Sequence, residues 1–473
     1  MMRNRAPLCV LALLICCPGR AMGQVPQAPE PGIGVTVGPV DIGLRGYFRA
    51  PLRLAWRGRD GVQPGESSYN VRSPWLVDDD YFRSGFAYTR IQESDWAEIY
   101  FTIKNKYLSA EVALMGSLFS DWARPLLDRQ WGISQGYLTF HWNAEGRRLR
   151  FRMHVRAGAF WDRLGWLENY DTYLFARTHQ MGGQVRLEFA FSKLKIFLLQ
   201  GVGAHLEALE INQGLTLLNY LHTGVAYQDM LQFGFYFLDA AARDRRQLQE
   251  QSDADMRVLG LDGELRTAYT GRLYLGASLV TAQQANYLSP AIEVLHAFGG
   301  RGLTENFLGT EKSEAGTGAL WNLAVETHHS LRAILDRSAP HRGRWLRGGD
   351  VSLRLFGLVT YVQSRQIDLD PLINRDARLY FKWGTEAAWQ ALPWLAASLR
   401  YDRVILDVQD EQSAFRIITP RITLTANWLL GAQIYLQYSR YFYGERVRLR
   451  PGQVALETRP DEDVFKLQAQ LTF

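Results

Sequence analysis

Cysteine is nearly missing from this 473-residue chain: Cys9, Cys16 and Cys17 are the only three, all close to the N-terminus. The rest of the chain can form no disulfide and offers no thiolate to a metal. Also missing is any uncharged apolar run of the roughly 20 residues that a membrane-spanning helix needs. A mean hydropathy of −0.19 is likewise too polar for a bundle of such helices. No fixed-period repeat, heptad run or extended low-complexity tract occurs.

Signatures of chemistry are equally scarce. His328 and His329 are adjacent on a strand-like stretch, where neighbouring side chains point to opposite faces, and no ligand set accompanies them. No serine and histidine share a spacing that suggests a hydrolase. Phe298-Gly299-Gly300-Arg301-Gly302 lacks the strand-to-helix context of a phosphate-binding loop. The expectation is a protein with no catalytic residues, no metal site and no cofactor. Basic residues alternate with apolar ones and form no exposed patch, which argues against nucleic acid as a partner.

The N-terminus reads as an export signal over residues 1–23. Arg3 and Arg5 precede an apolar run from Leu8 to Cys17, and the small residues Ala21 and Gly23 follow. A lipoprotein signal competes, because Cys16 and Cys17 sit near the end of the run. However, Ile15 and Cys16 stand where such signals want a small residue. Removing this segment takes away Arg3, Arg5 and Arg20, lowering the formal charge from +5 to +2. Residues 24–39 are rich in Pro and Gly and read as a mobile periplasmic lead-in, with no room for a plug domain.

From Val40 to Phe473 the chain alternates. In its last ten residues Phe465, Leu467, Ala469, Leu471 and Phe473 fall on one face of an extended chain, and Lys466, Gln468, Gln470 and Thr472 on the other. Between Val40 and Arg57, Ile42, Leu44, Phe48, Leu52, Leu54 and Trp56 oppose Asp41, Arg45, Arg49, Arg53 and Arg57. Similar segments recur in pairs, joined alternately by short turns (Lys104-Asn105-Lys106, Ala144-Glu145-Gly146, Gln228-Asp229) and by long connections. About eighteen strands emerge, with sixteen as the lower bound. One connection breaks the rule: 331–348 is long and basic where a short turn is due, so either the turn is elaborated or a strand pair is hidden there. Trp56, Trp142, Trp389, Trp394 and Trp428 lie near strand ends, where interfacial aromatics would stand. A soluble β-sandwich with a solvated charged face is the competing architecture.

These features, with the terminal Phe473, resemble the outer-membrane porins of Gram-negative bacteria as a class, over Val40 to Phe473. The resemblance implies an all-β fold, a transmembrane antiparallel up-and-down β-barrel of residues 40–473 in the cell outer membrane. It implies lipid, lipopolysaccharide and the barrel-assembly machinery as partners, with Phe473 part of the insertion signal and a homotrimer one assembly open to it. A passive diffusion channel for small hydrophilic solutes is the function implied. A non-conducting receptor, adhesin or scaffold is the alternative.

Lumen selectivity rests on the charged faces. Arg148, Arg150, Arg152, His154 and Arg156 share one face of a strand whose other face is apolar. An arginine at the lipid midplane costs roughly 2–4 kcal/mol, so the basic face must look toward water. Arg45, Arg49 and Arg53 form a second ladder, and Arg186, Arg354, Arg400 and Arg421 occupy similar positions. Unpaired, these guanidinium groups would favour anions in a pore. Paired with Glu98, Glu111, Glu188, Asp262, Glu264, Glu326, Glu386 or Asp402 they would only stiffen the wall. Loop 161–182, with Asp162, Glu168 and Asp171, resembles in position the third external loop that folds into general porins and narrows them.

Overall fold

The computed structural model describes residues 33–56, 96–116, 132–164, 166, 177–204, 215–228, 230–243, 254–267, 271–283, 317–331, 349–364, 377–405, 408, 414–426, 431–443, 447–450, 453–455 and 462–473. Its first strands are β1 (Ile33–Val37), β2 (Val40–Trp56), β3 (Trp96–Lys104), β4 (Leu108–Gly116), β5 (Gly132–Glu145), β6 (Leu149–Arg163) and β7 (Arg177–Phe191). Then come β8 (Leu194–Ala204), β9 (Leu215–Tyr227), β10 (Leu231–Arg243), β11 (Ala254–Thr267), β12 (Gly271–Gln283), β13 (Gly318–Ser330) and β14 (Asp350–Ser364). The last are β15 (Ala377–Leu392), β16 (Leu395–Ile405), β17 (Phe415–Ala426), β18 (Gly431–Tyr443), β19 (Val447–Arg450), β20 (Gln453–Ala455) and β21 (Glu462–Thr472).

Each strand from β2 to β18 pairs antiparallel with the next, β18 pairs with β21, and β21 pairs with β2. The result is a closed antiparallel ring of 18 strands, the number the alternation predicts. The competing sandwich is ruled out by that closure. β13 and β14 pair directly, from Gly318 with Ser364 to Ser330 with Ser352, so no strand pair of the wall hides between them. Residues 332–348 themselves lie outside the described residues, as does the segment read as an export signal.

Burial is inverted relative to a soluble protein. On β21, Lys466 and Gln468 are 1% exposed, while Leu467 between them is 39% exposed. On β16, Arg400 is 1% exposed and its neighbour Leu399 is 55% exposed. Exposed Phe101, Leu138, Leu198, Phe233, Leu275, Leu323 and Leu436 carry the apolar outer face around the ring. Such a surface suits hydrocarbon rather than water.

Aromatics mark its two edges. Trp142, Trp389 and Trp394 are exposed at the short-turn end, and Trp321 and Tyr361 are exposed toward the other end. Trp56 and Trp428, expected in the same belts, have side chains outside the described residues. Tyr361 pairs with Leu379, ten positions before Trp389 on β15. Ten residues span about 34 Å along a strand, or about 26 Å along the axis at a ~40° tilt. That matches an apolar band of about 25 Å.

The short turns follow from local chemistry. The Asn105 side chain accepts the N–H groups of Tyr107 and Leu108, both at 2.8 Å, closing the β3–β4 turn. Ser192 (φ 48) and Gln228 (φ 52) take left-handed conformations in the β7–β8 and β9–β10 turns.

Two elements were not foreseen. β19 and β20 form a small hairpin within the last long connection. β1 lies inside the stretch expected to be lead-in, and pairs with β2 from Ile33 with Leu44 to Val37 with Val40. Its place has a physical reason. The β21 ladder ends where Gly46 donates its N–H to the Phe473 carbonyl (2.7 Å) and Phe473 donates back to Gly46 (3.1 Å). β2 continues beyond that point to Val40, and β1 takes up the backbone groups that β21 is too short to reach.

Gly46 is where this seam closes, because a Cβ there would overlap the Phe473 ring. Gly46→Ala is therefore expected to lower the fraction of chains that reach the compact, SDS-resistant form on unheated gels. Gly43→Ala, whose Cβ would meet nothing nearer than 3.8 Å, should leave that fraction unchanged.

Candidate functional site in the barrel lumen

Alternation sends every second side chain into the ring, so the lumen collects the charges that lipid excludes. Most of them are paired. Arg45 Nη2 donates to Glu111 Oε2 at 2.5 Å, and its guanidinium lies 4.9 Å from the Tyr100 ring centre. The hydroxyls of Tyr137 and Thr102 also donate to Glu111, so both of its oxygens accept hydrogen bonds. On β7, Arg186 binds Glu188 at 2.7 Å. On β16, the buried Arg400 binds Asp402 at 3.0 Å and sits 4.7 Å from the Phe356 ring centre.

The longest network crosses β11 to β14. Glu264 accepts from Arg266 and, at 2.9 Å, from Arg272. Arg272 and Arg354 each approach Glu326 at 3.6 Å. Charges this deep are stable only because each has an opposite partner on the next strand.

Other arginines stand against aromatic rings or at the rim. Arg156 and Arg421 lie against rings: Arg156 is 4.5 Å from Tyr137 and 5.2 Å from Phe160, and Arg421 is 5.0 Å from Tyr435. Arg148, Arg150 and Arg152 are exposed beside the short turn after β5, and form no ion pair among the described residues. Their nearest acids by register are Glu145, opposite Arg150, and Glu188, opposite Arg152 and already held by Arg186. Arg49 and Arg53 pair through their backbones with Gln470 and Lys466, but their side chains lie outside the described residues.

The third long connection departs from the expected loop. Trp161, Asp162 and Arg163 still belong to β6, and β7 begins at Arg177, so the loop is shorter than 161–182. The reason is register: Asp162 pairs with Thr178 and Trp161 with His179. Asp162 is not poised toward the lumen as a free charge. It is buried, accepting from Tyr220 Oη at 2.6 Å and from Gln184. Glu168 and Asp171 lie outside the described residues.

What does reach across to β11 and β12 is Trp166. Its backbone N–H donates to Asp262 Oδ2 at 2.6 Å, and its carbonyl accepts from Arg272 Nη2 at 2.7 Å. The indole packs against Tyr274, Ala324 and Leu358, and stands 5.7 Å from the His222 ring centre. Gly234 leaves room for it, since a Cβ there would come within 2.8 Å of Trp166 Cη2. Trp166 thus joins the end of β6 to β10–β14, with its own N–H and C=O satisfied by two buried wall charges. Trp166 and Arg272 carry no individual sequence signal. Arg272 is merely the first inward residue of a strand, and only the fold shows that it faces a tryptophan carbonyl.

Tyr220, Tyr236 and Phe356 lie across glycines on neighbouring strands (Gly201, Gly260 and Gly384), so large rings coat the inner wall. The inner face also has an apolar sector. Leu238, Ala240, Met256, Val258, Val280 and Leu320 point inward on the long-loop half of β10–β13 and are buried. Strict apolar-out, polar-in alternation does not anticipate it.

Removing the Arg272 guanidinium would leave Glu264 and Glu326 short of a counter-charge. Arg272→Ala is expected to destabilise the folded barrel by about 3–5 kcal/mol. The measurement is the temperature at which the compact gel form converts to the unfolded one. Arg257→Ala, whose pair with Asp239 is largely exposed, should change it by no more than about 1 kcal/mol.

No protein-family model matches the chain, and no curated protein sequence does. Among solved structures it is similar to OpdL of Pseudomonas aeruginosa, at 9% identity and a TM-score of 0.39, over 92% of this chain and 99% of that one. OpdK of the same organism, solved with vanillate, matches at 10% identity and a TM-score of 0.39, over 92% and 98%. OmpT, an outer membrane protein of Vibrio cholerae, matches at 10% and 0.34, over 93% and 99%.

Proposed function

We propose that the protein is an outer-membrane porin, a passive diffusion channel for small hydrophilic solutes with a lean toward anions. The observation that carries this reading is the closed ring with an apolar exterior and an ionised inner wall. A ring built only to display loops has no need of so many charges inside it. Each solute would pass the Trp166 segment, where the wall offers Glu264, Arg272 and Glu326 in a fixed network.

The lean toward anions is narrower than a basic lumen as a whole, because carboxylates compensate Arg45, Arg186, Arg354 and Arg400. It rests on Arg148, Arg150 and Arg152 at the short-turn mouth. A unit charge about 7 Å from an ion in a water-like medium is worth about 0.6 kcal/mol, or a factor of about 2.5–3 in local anion concentration. In planar bilayers at low salt, Arg150→Ala with Arg152→Ala is expected to lower the anion-to-cation permeability ratio by a few-fold. An unchanged reversal potential would remove the anion preference and leave the channel.

A second reading, a non-conducting barrel serving as surface receptor, adhesin or scaffold, draws on the buried apolar sector of Leu238, Val258, Val280 and Leu320. That sector is filled rather than wet. Liposome swelling with sugars of graded size separates the two: a channel admits the small sugars, and Trp166→Ala should raise the rate and the size limit. A barrel that admits none is the non-conducting one.

A further inference from the structure

Three arginines stand on the lipid-facing side of the wall at its long-connection rim. Arg403 lies near the end of β16, Arg416 at the start of β17 and Arg440 near the end of β18. They share a face with the exposed Leu399, Ile418 and Leu436, whereas their neighbours Asp402, Ile417 and Ser439 are buried inside the ring. Register brings the three together. Arg403 pairs with Arg416, Arg416 with Phe442, and Ile418, two positions on, with Arg440. The guanidinium carbons of Arg416 and Arg440 lie 4.9 and 5.2 Å from the centre of the same Phe442 ring.

One carboxylate belongs to the group. Asp463, opposite Arg440 on β21, lies 3.8 Å from its Nε and also accepts from the Tyr438 hydroxyl. Arg403 and Arg416 form no ion pair among the described residues. Three guanidinium groups against one carboxylate leave this sector positive. Elsewhere on the outer face, Arg257 and Asp239 cancel each other.

We propose that this sector binds the phosphate groups of an outer-leaflet glycolipid, a lipopolysaccharide, whose acyl chains lie on the apolar wall below. Long connections face the cell exterior in outer-membrane barrels, so this rim meets the headgroups of the outer leaflet. Guanidinium forks match phosphate oxygens in pairs, and the Phe442 ring holds two such forks side by side. Leu399, Ile418, Ile422 and Leu436 offer apolar surface beneath them. Trp383 and Tyr401, with ring centres 5.3 Å apart, stand beside Arg403 as interfacial aromatics do. An anionic head above apolar tails fits both halves of the surface. A second copy of the chain fits neither, because the same face on a two-fold partner sets arginine against arginine.

The experiment refolds the full-length barrel in detergent free of lipopolysaccharide and titrates it with bisphosphorylated lipid A. Bound lipid is counted by native mass spectrometry. One tightly held molecule per chain is expected. Arg403→Ala together with Arg416→Ala should weaken binding at least tenfold, while Arg257→Ala leaves it unchanged. Asp463→Asn removes the opposing charge and should tighten binding a few-fold, a gain that misfolding cannot mimic. Equal affinity in the double arginine variant would overturn the assignment. So would equal binding of dephosphorylated lipid A, which makes the acyl chains alone the ligand. Displacement by inorganic phosphate at the lipid's own concentration would replace it with a free-anion site. Retention of the compact gel form shows that a variant has folded. The readout needs a barrel and no transport, so its failure would leave the channel reading untouched.

Discussion

The backbone ladder between the last strand and the first is the contact on which everything else in this protein depends. In hydrocarbon there is no water to satisfy an exposed N–H or C=O, and each one left unpaired costs several kcal/mol. An open sheet of this width would carry two such edges. Pairing of Tyr47 with Thr472 through Trp56 with Asp463 removes both at once. The even number of strands follows from antiparallel closure. The role of β1 does too, since it covers the stretch of β2 that β21 does not reach.

Once the outer surface belongs to lipid, the interior must absorb most of the ionised groups on the strands; the exposed Arg257–Asp239 pair stays on the outer face. The wall solves this mostly by neighbouring pairs: Arg45 with Glu111, Arg186 with Glu188, Arg272 with Glu264, Arg400 with Asp402. The same chemistry holds the Trp166 segment. A peptide group deep in the ring needs a donor and an acceptor, and Asp262 and Arg272 supply them. Wall and Trp166 therefore form one hydrogen-bonded system, and the β5–β6 turn carries exposed arginines at the rim.

Much of the architecture was legible before any coordinates. Leu467 between Lys466 and Gln468, and Leu399 beside Arg400, declare their faces through side-chain period alone. The strand count survives because a closed ring allows few alternatives. Legibility fails where two segments far apart in sequence must meet. The extension of β6 through Asp162 is set by pairing with Thr178, and Thr178-His179-Gln180 shows no alternation of its own. β1 hides in a Pro/Gly-rich stretch because its partner, not its composition, makes it a strand. The meeting of Arg416 and Arg440 at the Phe442 ring is likewise invisible in the sequence.

Sequence by itself determined that this chain forms a barrel of strands and, where apolar and charged residues alternate cleanly, which side of a strand faces lipid. Both are properties of a two-residue period and of the cost of a charge in hydrocarbon, and neither needs long-range knowledge. Tertiary structure alone decided which arginines find acid partners across strands, as Arg45 does in Glu111 and Arg272 in Glu264, and which peptide the wall grips. Those depend on the register between strands. A shift of one residue changes every cross-strand neighbour while leaving each strand's own pattern intact.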